Sequence, residues 1–235
     1  EDEQWVTKAA VRAGFPEARG RLVQGDERFR IRLDALEEMV ADDRAAGLTP
    51  FLVVGSGGTT NSGAVDPLTA LAELAAREGL WFHVDAAYGG FFCLTARGRE
   101  VLRGLERADS LSLDPHKGMF LPYGTGSLLV REPAALRRAH ATAADYMPPY
   151  QEDPELADFC ELSPELSRDN RGLRVWLPVK LLGFGAWREA LDEKLELARF
   201  AAEELRAMEA VEILAEPELS LLAFRLAPPG VPEAG

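Results

Sequence analysis

The sequence has little of what marks several large protein classes. Only two cysteines occur in 235 residues, Cys93 and Cys160, far apart and in no CxxC pair. That argues against a disulfide framework and for a reduced, cytoplasmic compartment. No apolar run approaches a membrane span, and the N-terminal stretch carries no signal-peptide pattern, so no membrane partner is expected. Basic charge is also short: 26 Lys and Arg stand against 39 Asp and Glu, a net charge of −13. Such a surface repels phosphate backbones and argues against nucleic-acid binding, while leaving room for a small anion in a locally basic pocket. The acidic excess is spread along helices rather than gathered in a tail, as expected of a solvated surface. There is no internal repeat, and the 21 Gly and 15 Pro follow no period, which points to tight turns rather than low-complexity sequence.

What is present is an ordinary globular composition, 47% hydrophobic and 28% charged, long enough for one large domain or one and a half. The chain starts at Glu1 and stops at Gly235 just after a Pro-rich turn; it reads as trimmed or as a fragment. Asp34 and Glu37 form a capping box opening a helix to about Ala46, with Gly47 as its stop. Residues 51–54 read as a strand. Pro67 starts a helix whose Leu68, Leu71, Ala72 and Ala75 share one face, and Gly79 closes it. Residues 81–84 form the next strand and end in Asp85. Strand, helix and strand in this order predict a βαβ unit and a parallel sheet.

Further strands are expected at 111–113 and 127–130, and a helix from Pro133. Residues 147–164 read as a loop of Pro and acidic residues, of the kind that is often functional. Leu191, Leu195, Ala198, Ala202 and Leu205 step by four and three, the mark of one long amphipathic helix. Residues 211–214 and 219–226 then read as strands. A composition shift at 182–187 predicts a boundary, with a large domain over 1–185 and the start of a small one over 186–235.

Three polar clusters fall at strand ends, at 55–63, 85–90 and 114–117. In a parallel sheet they should converge on one pocket. The run GSGGTTNSG fails both the Walker pattern and G-x-G-x-x-G, so it reads either as a phosphate turn or as a flexible connection. Asp85 needs a cationic or N–H partner if buried; a cap or structural ion pair is the alternative. His83 is expected on the other sheet face, as a satisfied core histidine. In Asp114-Pro115-His116-Lys117, a lysine beside a histidine after a strand suits Schiff-base chemistry, with a surface turn as the alternative. His83, Asp85, Asp114 and His116 could also be read as metal ligands.

Taken together, the clusters resemble the group II pyridoxal-phosphate-dependent amino-acid decarboxylases, the aromatic-amino-acid and glutamate decarboxylase family. The resemblance rests on DRAAGLTPF (43–51), GTTNSGAVDP (58–67), HVDAAYGG (83–90), ADSLSLDPHKGMFLPYGTGSLLVR (108–131) and SRDNRGLRVW (167–176), in the family's order and near its spacing. It implies an α/β, type I aminotransferase-like fold, with a mainly parallel sheet flanked by helices and the start of a small α+β domain. It also implies pyridoxal 5'-phosphate as cofactor, and decarboxylation of an L-amino acid to an amine and CO2. Lys117 would hold the cofactor as a Schiff base. Asp85 would bind the pyridine nitrogen and keep it protonated, so that the ring acts as an electron sink. Ala87 would pack against one ring face. His116 would contact the phosphate, as would the group at Asp114, although an ionised Asp cannot donate to phosphate and would instead orient a neighbour. Thr60 would donate near the cofactor or substrate carboxylate. Asp66 reads as a helix cap.

The resemblance makes Tyr146 the mobile-loop tyrosine that protonates the α-carbon; a surface tyrosine is the alternative. Arg168, Arg171 and Arg174 match a basic segment that offsets buried charge or forms ordinary salt bridges. It further implies a homodimer with an interfacial active site. Several departures stand out. The family's ring-stacking histidine falls near Glu3, where there is none. Its upstream Gly/Ser-rich phosphate loop and the end of its small domain are missing, so the chain alone is expected to bind the cofactor weakly. Gly118 stands where many relatives carry Trp. Rival readings are an aminotransferase, an aldehyde synthase or a carbon–carbon lyase on the same scaffold, a catalytically degenerate partner subunit, or a metal hydrolase.

Overall fold

The computed structural model describes residues 4–15, 20–140 and 159–228. Its helices are α1 (Gln4–Arg12), α2 (Leu33–Ala45), α3 (Leu68–Glu78), α4 (Ala96–Val101), α5 (Pro115–Gly118), α6 (Pro133–His140) and α7 (Leu173–Arg206). Its strands are β1 (Leu52–Ser56), β2 (Trp81–Asp85), β3 (Ser110–Leu113), β4 (Ser127–Val130), β5 (Val211–Ala215) and β6 (Ala223–Leu226). The first four strands form one sheet in the order β1-β2-β3-β4, and β5 pairs with β6 in a separate ribbon. β1, β2 and β3 run parallel, as the βαβ pattern requires, but β4 is antiparallel to β3. The connection explains the reversal. Residues 114–126 carry only the single turn α5. No helix packs back across the sheet, so the chain re-enters at the end it left and pairs Leu113 with Ser127.

Alternation along β2 sorts its side chains. Phe82 and Val84, 1% and 0% exposed, enter the core with Leu68, Leu71, Leu74 and Ala75 of α3. Each such buried leucine contributes about 1.5–3 kcal/mol. Gly55 of β1 sits between Leu71 and Phe82, where a Cβ would come within 2.8 Å of Leu71 Cδ1. Gly79 closes α3 in the left-handed conformation, φ 65°, which glycine adopts without the Cβ penalty. Trp81, His83 and Asp85 share the opposite face of β2. His83 therefore lies on the same face as Asp85, not the other one. Residues two apart on a strand point the same way.

Other local expectations shift for physical reasons. The capping box is not formed: α2 begins at Leu33 after Arg32, with no side-chain cap. Asp34 lies inside the first turn and accepts from Arg32, whose guanidinium holds the carboxyl below the usual range. Asp66 does not cap α3 either. Its Oδ1 accepts from Ile31 N–H and its Oδ2 from Ser56 N–H, both at 2.7 Å, so it ties the segment leading into α2 to the end of β1. The long amphipathic helix is present as the second arm of α7, with Trp187, Leu191, Leu195, Ala198 and Ala202 buried. It is joined to an earlier arm through a break at Gly183, φ 70° and ψ 159°. The last strand starts only at Ala223. Residues 216–221 pack instead on the loops that follow β1 and β2, with Leu219 fully buried, Ser220 N–H on Tyr88 Oη at 2.9 Å and Glu218 Oε2 on Val65 N–H at 3.3 Å.

Burial raises the Asp66 carboxyl above its ordinary value, and the two N–H donors partly offset this. The folded state therefore holds the proton more readily than the unfolded chain, and the cost of the buried charge is relieved as pH falls through the raised value. Asp66→Asn keeps one acceptor and turns an NH2 onto the other N–H. It should cost about 1–3 kcal/mol at neutral pH, read from urea midpoints, and should flatten this acid-side dependence. An unchanged midpoint at pH 7 would contradict the assignment.

Candidate active site

The carboxyl ends of β2 and β3 bring two of the three polar clusters into contact. Asp85 is the last residue of β2 and stands in register with Ser56 on β1 and Ser112 on β3. Its Oδ1 accepts from Ala87 N–H at 3.0 Å and from Ser112 Oγ–H at 2.9 Å. The backbone continues the link. Ala86 N–H donates to the Ser112 carbonyl at 3.1 Å, and Asp114 N–H to the Ala87 carbonyl at 3.1 Å. Ala87 itself is half-buried at the mouth of this junction.

Asp114 then opens α5, with Pro115 in its first turn. Pro has no N–H to lose there and a φ already set for helix. One turn later Lys117 Nζ lies 3.0 Å from Asp114 Oδ2, with the lysine side chain 44% exposed. His116 Nε2 is 3.7 Å from the same oxygen. His116 Nδ1 donates to the Thr125 carbonyl at 2.9 Å, and the ring tilts against Tyr123. A carbonyl only accepts, so Nδ1 carries a proton; Nε2 can donate to an anion only when the ring holds both protons. Asp114 Oδ2 thus lies near both Lys117 Nζ and His116 Nε2.

The Gly-rich turn is joined to this junction through backbone: Gly57 N–H donates to the Asp85 carbonyl at 2.7 Å. Gly89 is the closest approach. A Cβ there would fall 1.9 Å from the Gly57 carbonyl oxygen, so no other residue fits. Within the turn it is Thr59, not Thr60, that is buried, sharing a 2.7 Å hydrogen bond with Ser62 and accepting from Ala64 N–H. Thr60 is exposed at the rim. Tyr146 and Glu3 lie outside the described residues. The metal alternative finds no support in the arrangement: among the described residues no group of three or more His, Cys, Asp or Glu could hold an ion. His83 instead shares a 2.8 Å hydrogen bond with Ser110 Oγ, which also accepts from Trp81 Nε1–H at 2.8 Å.

Arg171 and Arg174 are taken up by Asp169 at 2.9 and 3.2 Å, and Arg168 lies over the Phe159 ring. These are exposed local pairs. Three other partners have no motif to announce them. Ser112 on Asp85 follows from Ser-Leu-Ser-Leu alternation once the register is known. Trp187 Nε1–H donates to the Met119 carbonyl at 2.8 Å and ties α7 to the chain just beyond Lys117. Tyr88 and Ser220 share a 2.8 Å hydrogen bond. A cavity of ≈ 150 Å³ opens beside Lys117 among Tyr88, Phe92, Phe120, Lys194 and Ser220. The larger concavity, ≈ 630 Å³, is lined by Arg30, Asp66, Glu73, Arg97 and Arg103 and by none of the candidate residues; its mixed charge gives it no evident ligand chemistry.

Gly118 explains one departure. It is buried, and a Cβ would lie 2.6 Å from Phe91 Cβ, so Phe91 occupies the space that a side chain after Lys117 would need. Gly118→Ala should cost about 1–3 kcal/mol by overpacking, and adding Phe91→Ala should recover part of it; additive losses would refute the contact. His83 gives a pH prediction. Burial holds its imidazole below the ordinary value, against the opposing charge of Asp85. This contribution is full above about pH 6.5 and is lost as pH falls through the lowered folded value. His83→Gln should flatten that part of the urea-midpoint profile, and an unaltered profile would count against it.

The model of the pyridoxal-dependent decarboxylase conserved domain matches residues 4–227. An aromatic-L-amino-acid decarboxylase of Bacillus atrophaeus is 37% identical over 228 residues, which is 95% of this chain and 47% of that protein. A cysteine sulfinic acid decarboxylase of Mus musculus is 35% identical over 230 residues, 96% of this chain and 46% of the other. The crystal structure of Catharanthus roseus tryptophan decarboxylase in complex with L-tryptophan superposes with a TM-score of 0.87 at 32% identity, covering 96% of this chain and 46% of that one. The chain spans about half the length of the curated relatives it matches. No helix among the described residues is long and apolar enough to cross a membrane.

Proposed function

As the chain belongs to the pyridoxal-dependent decarboxylase family, we propose that a protein carrying it removes the α-carboxylate of an L-amino acid as CO2 and returns a proton to the α-carbon, yielding an amine. The observation that carries this reading is the junction of Asp85, Asp114, His116 and Lys117 at the carboxyl ends of two adjacent parallel strands. Ligands of open α/β sheets sit beyond that end.

The donor set fits pyridoxal phosphate. When bound, the cofactor supplies an electron sink for the pair left behind as CO2 departs. Asp85, with Oδ1 already held by two donors, presents a carboxylate to the ring nitrogen. Ala87 leaves room for the ring beside the strand end. Lys117 is the covalent anchor for the aldehyde carbon, and Asp114 orients its amine from 3.0 Å. His116, its Nδ1 engaged by the Thr125 carbonyl, would turn Nε2 to the phosphate. Thr60, exposed at the rim, donates toward the cofactor or the substrate carboxylate. Tyr146 delivers the proton to the α-carbon.

The same reading takes residues 1–185 as part of the large domain and 186–235 as the beginning of the small one. It takes the working form as a cytoplasmic homodimer with an interfacial site. The first arm of α7 supports the dimer, since Leu173, Trp176, Leu177, Leu181 and Leu182 are all exposed there, a patch of the kind that marks association.

The test uses a full-length protein containing this chain. With pyridoxal phosphate it should develop a visible band that borohydride erases, leaving the pyridoxyl group on the peptide of Lys117. A panel of L-amino acids should release CO2 and amine, and Tyr146→Phe should slow that release by about 10²–10⁴-fold. Absence of the band, or label scattered over surface lysines, would sink the decarboxylase reading and favour a degenerate partner subunit.

A further inference from the structure

β3 reads Ser110-Leu111-Ser112-Leu113, and its alternation splits the strand into two roles. Leu111 and Leu113 pack against the core. The serines turn to the other face, the one that bears Trp81, His83 and Asp85. Each serves one polar group of β2. Ser110 Oγ takes the Trp81 indole N–H and shares a hydrogen bond with His83, and Ser112 Oγ donates to Asp85 Oδ1 at 2.9 Å. The second pair is the consequential one. A carboxylate swings freely about its terminal torsion, whose preferences are broad. Asp85 Oδ1 takes two donors that reach it from different directions, Ala87 N–H from its own chain and Ser112 from the neighbouring strand. Both strands are fixed at this point, since Asp85 and Ser112 are register partners and Ala86 N–H bonds the Ser112 carbonyl at 3.1 Å.

We infer that Ser112 is a positioning residue: from the strand beside β2, its hydroxyl sets the plane in which Asp85 presents its carboxylate to the cofactor's ring nitrogen. The inference rests on the reading above that Asp85 meets that nitrogen. Ser112 touches no substrate itself. Ala87 N–H reaches Oδ1 from the chain that carries Asp85, and the Ser112 hydroxyl meets the same oxygen from the neighbouring strand, so the two together narrow the torsion that turns the carboxylate. The second donor makes the orientation a property of the β2–β3 register and independent of whether cofactor is present. Serine suits the task, because a single torsion aims its hydroxyl and it fills little space between strands.

The experiment compares wild type, Ser112→Ala, Ser112→Thr and Asp85→Ala in a full-length protein containing this chain. Two ligands are titrated by absorption and fluorescence: pyridoxal phosphate, and its analogue with C–H in place of the ring nitrogen. Melting temperatures of the cofactor-free proteins are read alongside. Ser112→Ala should weaken pyridoxal phosphate about 5- to 20-fold, part of the roughly 10- to 100-fold that one hydrogen bond to a charged group is worth. It should leave the analogue's affinity unchanged, and Ser112→Thr should restore the loss. Equal weakening of both ligands, or a loss that persists at full size when Asp85→Ala is added, would overturn the inference by showing a general structural role. If Asp85→Ala itself weakens pyridoxal phosphate no more than the analogue, the premise about Asp85 fails, and that result is separate from the Ser112 comparison.

Discussion

Parallel register across β1, β2 and β3 is the constraint on which everything else hangs. It aligns Ser56, Asp85 and Ser112 on three adjacent strands. A slip of one residue in β2 would turn Asp85 into the apolar layer of α3 and bring Val84 to the site face. The layer itself prevents this. Phe82 and Val84 are fully enclosed among leucines of α3, and exchanging them for Asp85 and His83 would bury charge and expose hydrocarbon together. The hydrophobic face of the sheet thereby enforces the position of the polar one.

From that register the site follows with little further machinery. β3 delivers the chain to Asp114 at the end where β2 delivers Asp85, and the Ala87–Asp114 backbone bond joins the two. The connection to β4 is too short in helix to leave this end of the sheet. His116 and Lys117 are therefore held on a single turn facing the same opening. Two later segments brace it from outside: Trp187 holds the chain just after Lys117, and Ser220 holds Tyr88. The covalent chemistry proposed for Lys117 thus rests on residues more than sixty positions further along the chain.

Local sequence was informative where a side chain's role is settled by its nearest neighbours in the chain. Pro67 and Gly79 bracket α3 as expected, and the heptad-like spacing of Leu191, Leu195, Ala198 and Ala202 gives a buried helix face. It misled where a polar residue found a distant partner. Asp34 lies where a capping box would place it, yet Arg32 takes its carboxylate. Asp66 precedes a helix as a cap would, yet it binds Ile31 and Ser56 across the fold. Residues 219–222 have the apolar texture of a strand, but Leu219 finds deeper burial beside Gly89 than a two-stranded ribbon could offer.

By itself the sequence determined the alternation of strand and helix, the parallel βαβ core and the three polar clusters at strand ends. These depend on periodicity and on turn residues, which act over a few positions. The motifs around 83–90 and 114–117 also carried the family resemblance. Only the tertiary structure decided that β4 runs antiparallel, that His83 shares a face with Asp85, that Phe91 leaves no room beyond a glycine at 118, and that Ser112 holds the Asp85 carboxylate. Each of these is a contact between segments distant in the chain, fixed by strand register and close packing, and no local pattern encodes which distant atom will arrive within hydrogen-bonding reach.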